Sequence, residues 1–342
     1  MANLQSMTAT SKLPPTARPW PHRWGWALAC ATFPLVWWGG WVVASGSGMA
    51  FRDWLTSDGV AMPLYPWLSS AGDKFIEHGH RLLGMVAGLL SIALVVSAYM
   101  AGARPAVKRY AWLLLAGVIA QGVLGGLRVV LDQRVAALIH GVTGPLFFAA
   151  AAGFVVVTSR GWEQSRTLAQ PAAADRKLTR LAIICTGLTF GQLTLGVVVR
   201  HSALMIRDGS AALFEAASYL HALTAVAVII YLTLLTVRAW RTGVAKRLTM
   251  LIQLLIIAQF ALGLTTWLFK YGVPAWVAQY TGEVDYLNRE AESVRALVVT
   301  GHGAAGSLLV ALTVAVALYA GRRTGIRRLT LPSLTASGRV LA

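Results

Sequence analysis

Eight apolar segments, each about as long as a membrane-spanning helix, constrain this chain more than any other feature. They cover residues 24–46, 78–101, 110–130, 137–158, 178–199, 214–237, 248–270 and 296–320. Inside a bilayer every backbone polar group must be satisfied by the protein itself, and an apolar run of about 20 residues does this as a helix. Charged residues make up 13% of the chain, about half the share of a soluble domain. We therefore predict an all-α integral membrane protein with eight transmembrane helices.

The basic residues collect on one side of this predicted bundle. That side consists of both termini, the loops after the second, fourth and sixth segments and the adjoining segment ends, and it holds 20 of the 30 Lys and Arg but only 2 of the 13 acidic residues. Because basic loops stay in the cytoplasm, both termini are predicted to be cytoplasmic. The net charge of +17 is then a topology signal that also favours contact with anionic lipid, and we predict no nucleic-acid binding.

The two halves of the chain resemble each other. Cys30 aligns with Cys185, Gln-x-x-Leu-Gly recurs in the third, fifth and seventh segments, and His-Gly opens the fourth and eighth. This order predicts two repeat-related four-helix bundles in the same orientation. The glycines of the repeated motif, and Gly84-x-x-x-Gly88, are predicted to permit close helix packing. The predicted organisation is a cytoplasmic tail at 1–23, an N-terminal half at 24–160, a cytoplasmic linker at 161–177, a C-terminal half at 178–320 and a basic cytoplasmic tail at 321–342.

Four histidines open the even-numbered segments: His80, His140, His221 and His302. One histidine in such a place is usually an interface residue, but four at repeat-related positions need another explanation. Two imidazoles from facing helices are what bis-axial haem ligation requires, whereas zinc takes three or four ligands in one place. The pattern predicts one haem site in each half, ligated by the two histidines of that half.

An acidic residue accompanies the first of these histidines only. Glu77 precedes His80 by three residues, so the two side chains share a helix face. A charge at bilayer depth costs about 2.5–3.5 kcal/mol, which favours a functional role over the alternative of an interfacial cap. Arginines at this level are candidate partners for haem propionates, with interfacial snorkelling as the alternative for each. They are Arg81, Arg128, Arg200 and Arg207.

These motifs resemble those of the haem A synthases. The resemblance rests on Gly39-Gly40-x-Val42-Val43-x-Ser45-Gly46-Ser47-Gly48-Met49-Ala50 with Asp53-Trp54, on Glu77-x-x-His80-Arg81, and on the three later histidines. It covers about residues 24–320. Many bacterial relatives carry cysteine pairs in their outer loops, and this chain has none there.

The resemblance implies an oxidoreductase that acts on CH groups. Such an enzyme oxidises a ring methyl of its substrate, haem O, to a formyl group and so supplies haem A for cytochrome oxidase assembly. The resemblance also implies that His221 and His302 bind a haem b cofactor, that His80 and His140 ligate the substrate haem, and that Glu77 is the catalytic carboxylate. The partners implied are haem O synthase, an electron-transfer protein, oxidase assembly factors, membrane lipid and a second copy of this chain. The short N-terminal tail favours the bacterial cytoplasmic membrane over the mitochondrial inner membrane.

Two other functions compete with this one. A membrane cytochrome with two bis-histidine haems would carry electrons between quinol and an acceptor and would not need Glu77. The segment before His221 reads Ala217-Ser218-Tyr219-Leu220, so the carboxylate belongs to one half only, which favours the enzyme. A transporter would place charges at the membrane midplane, whereas the polar clusters here lie at its outer edge.

Overall fold

The computed structural model describes residues 19–165, 172–205, 211–271, 279–280 and 292–325. In this part of the chain eight helices are long and apolar enough to cross a membrane. The prediction of a multi-pass, helical membrane protein is therefore confirmed. Most of the predicted N- and C-terminal tails, residues 1–18 and 326–342, lies outside the described residues. The cytoplasmic position of the termini and the origin of the halves by duplication stay predictions.

The helices extend beyond the apolar segments at most of their ends. The first half contains α1 (Trp20–Ala44), α2 (Gly72–Met100), α3 (Pro105–Val130), α4 (Arg134–Val157) and the short α5 (Arg160–Gln164). The second half contains α6 (Ala173–Met205), α7 (Ala211–Thr242), α8 (Lys246–Tyr271) and α9 (Glu292–Thr324). Polar residues at the ends continue each helix past its hydrocarbon-spanning part. The four histidines were predicted to open their helices. Because the helices begin earlier than the apolar segments, each histidine instead lies about two to three turns inside its helix.

Each half forms a ring of four helices. In the first half α1 and α3 both pack against α2 and α4, so α2 and α4 lie diagonally opposite each other. In the second half α6 and α8 both pack against α7 and α9, which are diagonal in the same way. The halves meet where α4 packs against α6 and α9, and where α1 packs against α9. The histidine-bearing helices thus face each other across the centre of their own half.

Apolar side chains form a separate core in each half. The first core includes Leu28, Leu94 and Phe154, and the second includes Leu178, Leu232 and Ile252, all fully or almost fully buried. A third, smaller cluster joins the halves through Phe148, Ala149, Val310 and Ala311. Because lipid chains are as apolar as these side chains, the cores hold the helices together through close packing more than through exclusion of water.

The loop between α1 and α2 folds into a compact cap over one end of the first half. It contains an antiparallel pair of short strands, β1 (Thr56–Ser57) and β2 (Val60–Ala61), and two single turns of 3₁₀ helix (Met62–Leu64 and Trp67–Ser69). Asp58 and Gly59 connect the strands with positive φ angles of 52° and 76°, as a two-residue hairpin turn requires.

The Asp53 carboxylate organises this hairpin. It accepts hydrogen bonds from the Thr56 hydroxyl at 2.6 Å and from the Gly59 and Asp58 backbone N–H groups at 3.0 and 3.3 Å. Burial on its own would raise the pKa of Asp53, but these hydrogen bonds outweigh burial and lower that pKa below its ordinary value. Asp53 therefore stays ionised at neutral pH and holds the turn in place.

We expect the core of the second half to be sensitive to truncation at Leu232, which is fully buried. Leu232→Ala should lower the free energy of unfolding by about 2–5 kcal/mol, because the cavity it leaves cannot be filled by lipid. The matched control is Leu234→Ala on the same helix, where the side chain is 51% exposed. Thermal or denaturant unfolding in detergent measures both variants, and equal losses of stability would contradict this packing.

Candidate haem sites

The four histidines come together as two pairs. The ring centroids of His80 and His140 are 6.3 Å apart with an interplanar angle of 87°. Those of His221 and His302 are 6.2 Å apart with an angle of 79°. Each pair joins the diagonal helices of one half, as the sequence predicted.

The spacing within each pair suits one metal ion between the two rings. A metal–imidazole bond of about 2.0–2.1 Å places the centroids of two axial imidazoles about 6.3 Å apart on opposite sides of the ion. In the described part of the chain no group of three or more His, Cys, Asp or Glu side chains could hold a metal ion. Two ligands per site fit an iron whose other four ligands come from a macrocycle, and they do not fit a structural zinc site.

Every paired ring lies against a glycine of the preceding spanning helix. A Cβ atom added to that glycine would lie 2.8–3.4 Å from the ring Cε1 atom. The contacts are Gly39 with His80, Gly125 with His140, Gly196 with His221, and Gly263 with His302. A larger residue at the closer of these positions would push the ring away from its partner.

Each ring also faces the backbone carbonyl of the residue four positions before its glycine. These residues are Leu35, Gln121, Gln192 and Gln259. The Nδ1 atoms of His80, His140, His221 and His302 are buried, and within the described residues none of them has a hydrogen-bond partner of standard geometry. Metal-ligating histidines usually direct one ring N–H at a backbone carbonyl or carboxylate, which leaves the other nitrogen for the metal. Nε2 is therefore the candidate ligand atom in all four rings.

Sequence reasoning assigned the glycines of the three Gln-x-x-Leu-Gly motifs to helix packing alone and so missed their contact with the imidazoles. The signal was present, since each of these motifs lies one helix before a histidine. The expectation for Gly84 and Gly88 was wrong: among the described residues no neighbouring atom lies within 4 Å of a Cβ built on either one.

Glu77 is buried one turn before His80, with only 2% of its surface exposed. Its Oε2 accepts hydrogen bonds from the backbone N–H groups of Ala50 at 2.7 Å and Phe51 at 3.2 Å, and its Oε1 pairs with Arg81 at 2.8 Å. The two backbone donors tie the first outer loop to the helix that carries His80.

His78 is a second anchor of that loop, and the sequence analysis assigned it no role. The side chain is fully buried, its Nδ1 is 2.9 Å from the Ser57 hydroxyl, and its ring centroid is 4.7 Å from that of Tyr65. Loop and helix are therefore joined on two faces of the same turn. No sequence signal separated His78 from an ordinary interfacial histidine.

The chain matches the family model COX15-CtaA, described as cytochrome oxidase assembly protein, over residues 22–281. It belongs to this family. This match confirms the resemblance to the haem A synthases that the motifs indicated. A search of the curated proteins found no match for this chain. The matched range includes Glu77, His80, His140 and His221 and ends before His302. For His302 the support is therefore its place opposite His221.

Three of the four predicted propionate partners bind backbone carbonyls in this family member. Arg81 donates to the carbonyls of Asp53 at 3.0 Å and Thr56 at 2.8 Å. Arg128 donates to the Gly48 carbonyl at 2.9 Å, and Arg200 to the Gly40 carbonyl at 2.6 Å. A guanidinium has five N–H donors, so the bond from Arg128 to Gly48 leaves that side chain capacity for a carboxylate ligand. Arg207, the fourth candidate, lies outside the described residues.

The glycine contacts predict that a methyl group at Gly196 disturbs the second site. In Gly196→Ala the new Cβ would lie 3.1 Å from Cε1 of His221, so we expect a displaced ring, a shifted haem absorption spectrum and less haem per protein. The matched control is Gly191→Ala on the same helix, where no described atom lies within 4 Å of the added Cβ. Absorption spectra of the two purified variants test this, and identical spectra would contradict it.

Proposed function

We propose that this protein is a haem A synthase, an oxidoreductase that converts the methyl group of haem O to the formyl group of haem A. The observation that carries the proposal is the pair of imidazoles in each half, with centroids 6.3 and 6.2 Å apart. Membership of a family of cytochrome oxidase assembly proteins supports it, because haem A is a component of such oxidases.

The two halves take different roles in this proposal. His221 and His302 hold a haem b cofactor, and His80 and His140 ligate the substrate haem O. When bound, the haem b supplies one-electron chemistry that amino-acid side chains cannot provide. The asymmetry follows from Glu77, since Ser218 stands three residues before His221, where the first half has the carboxylate.

Glu77 accepts protons as the substrate methyl group is oxidised. Replacing hydrogen by oxygen at that carbon releases electrons, which pass to the electron-transfer partner, and protons, which a carboxylate one turn from a substrate ligand is placed to take. The hydrogen bonds from Ala50, Phe51 and Arg81 hold the Glu77 side chain in a buried position. The same bonds keep the outer loop closed over this end of the bundle and limit the access of water.

The proposed setting is the bacterial cytoplasmic membrane, with both termini on the cytoplasmic side. The histidine pairs then lie towards the outer face, and the loop that Glu77 anchors covers that face. Haem O synthase, an electron-transfer protein and oxidase assembly factors are the proposed partners.

A two-haem cytochrome is the second candidate, and the near-identical geometry of the two pairs favours it. Chromatography of the haems extracted from protein made with and without a supply of haem O separates the candidates. Haem A that forms only when haem O is supplied supports the synthase. Two haem b groups per chain, unchanged by haem O, would replace the synthase with the cytochrome.

Glu77→Gln should retain haem b and lower the rate of haem A formation by about a hundredfold or more, because the amide cannot accept a proton. Glu215→Gln is the control, since Glu215 is exposed on α7 and precedes the other half's ligand. Haem A formation in membranes supplied with haem O measures both.

Retained activity in Glu77→Gln would remove the proton-acceptor role. Limited proteolysis of the loop at residues 45–71 tests the second role of Glu77, which is to anchor this loop to α2. A variant that is inactive and also newly cleaved in this loop would show that Glu77 acts by anchoring the cap.

His302→Ala should lose the haem b cofactor, because one axial ligand is removed from the second site. The control is His22→Ala, at the opposite end of α1 from Gly39, where the imidazole Nδ1 is 3.1 Å from the Thr158 hydroxyl. The pyridine haemochrome assay gives haem per chain. A His302→Ala protein with unchanged haem content and spectrum would overturn the assignment of this pair.

A further inference from the structure

The residue four positions before each ring-contacting glycine is glutamine three times and leucine once. In the second half both glutamine amides donate to the backbone carbonyl of the ligand histidine itself. Gln192 Nε2 is 2.8 Å from the His221 oxygen, and Gln259 Nε2 is 3.0 Å from the His302 oxygen. These bonds join each ligand's own backbone to the helix beside it.

The first half has this arrangement at neither of its two ligands. Gln121 Nε2 donates to the hydroxyl of Thr143 at 2.6 Å, so it ties α4 to α3 one turn beyond His140. Beside His80 the corresponding residue is Leu35, whose carbonyl faces the imidazole as the glutamine carbonyls do. Leucine has no donor, so its side chain cannot bind the His80 carbonyl.

The α2 helix is held at a different point. The Trp38 indole donates to the Ile76 carbonyl at 2.8 Å, one turn before His80. The Trp38 ring also packs against Gly79, where an added Cβ would lie 2.6 Å from its Cζ2 atom. The α2 helix is thus fixed at the level of Glu77 and His78, which anchor the loop. At His80 itself, residue 35 supplies no side-chain amide to bind the backbone carbonyl; we call such a hydrogen bond an amide tie.

We infer that Leu35 makes His80 the releasable ligand, so that the first half exchanges an iron porphyrin while the second half, with both ligands tied by glutamine amides, retains its own. This inference rests on the proposed binding of haem by the histidine pairs. A hydrogen bond in a dry helix interface has no competing water, so each amide tie resists the ligand movement that haem release requires. Leu35, Gln192 and Gln259 are positioning residues here, because they act through the histidines.

The test is an exchange of these side chains between the halves. Haem release from each half is followed separately, in a His302→Ala background for the first half and a His140→Ala background for the second. The probe is iron protoporphyrin IX, and excess apomyoglobin captures the haem that leaves the detergent-solubilised, full-length protein. Transfer is followed by absorbance.

Leu35→Gln should slow release from the first half by about threefold to tenfold, the effect of one added buried hydrogen bond. Gln192→Leu and Gln259→Leu should each speed release from the second half by about the same factor. A general loss of packing could speed release but would not slow it, so the slower release in Leu35→Gln distinguishes the amide tie from a merely structural effect.

Two controls match these changes. Leu35→Met alters the shape of the side chain without adding a donor and should leave the release rate unchanged. Gln253→Leu removes another partly buried amide of α8, one that donates to the Thr236 hydroxyl at 3.1 Å, and should also have no effect.

The inference is overturned if haem is bound through the histidine pairs and the release rates do not respond to Leu35→Gln, or respond equally to Leu35→Met or Gln253→Leu. A different result would defeat the proposed function instead. Haem content that is unchanged by His302→Ala and by His140→Ala would show that the pairs are not ligands.

Discussion

The contact between an imidazole ring and a glycine face is the interaction on which both candidate sites depend. A histidine on one helix can reach a partner across the bundle only if the neighbouring helix yields space where the ring passes. Gly39, Gly125, Gly196 and Gly263 provide that space, one for each ring. The same absence of a side chain exposes the carbonyl one turn earlier to the ring. Position and orientation of the ligand are therefore set by one small residue on the adjacent helix.

The sequence carried enough information for the helices and the histidine pairs, because both follow from strong, local rules. Long apolar segments must be helices in a bilayer, and equivalent positions in successive helices must lie at similar depth. The role of the glycines was not predictable in the same way. Gly84-x-x-x-Gly88 and the glycine of Gln-x-x-Leu-Gly are equally good packing motifs by sequence, and only the position of neighbouring side chains separates them. His78 was missed because its partners, Ser57 and Tyr65, come from a loop with no periodic pattern.

The first outer loop shows how one helical turn can serve two purposes. Glu77 and His78 hold the loop, and His80, on the same stretch of α2, belongs to the first histidine pair. A rotation of this turn that displaced His80 would also strain the bonds to Ala50 and Ser57. Access to the first site and geometry within it are thus mechanically linked, whereas the second half has serine at the position equivalent to Glu77.

The interface between the halves bears on the order in which the protein can be assembled. The Trp37 indole on α1 donates to the Thr300 hydroxyl on α9 at 2.9 Å, across 263 residues of sequence, and Arg200 binds the Gly40 carbonyl at the other end of the same short segment. Because α1 precedes α6 and α9 in the chain, these two hydrogen bonds of α1 can form only after those helices have entered the membrane. Insertion can proceed helix by helix, but completion of the interface between the halves has to wait for the final helix of the second half.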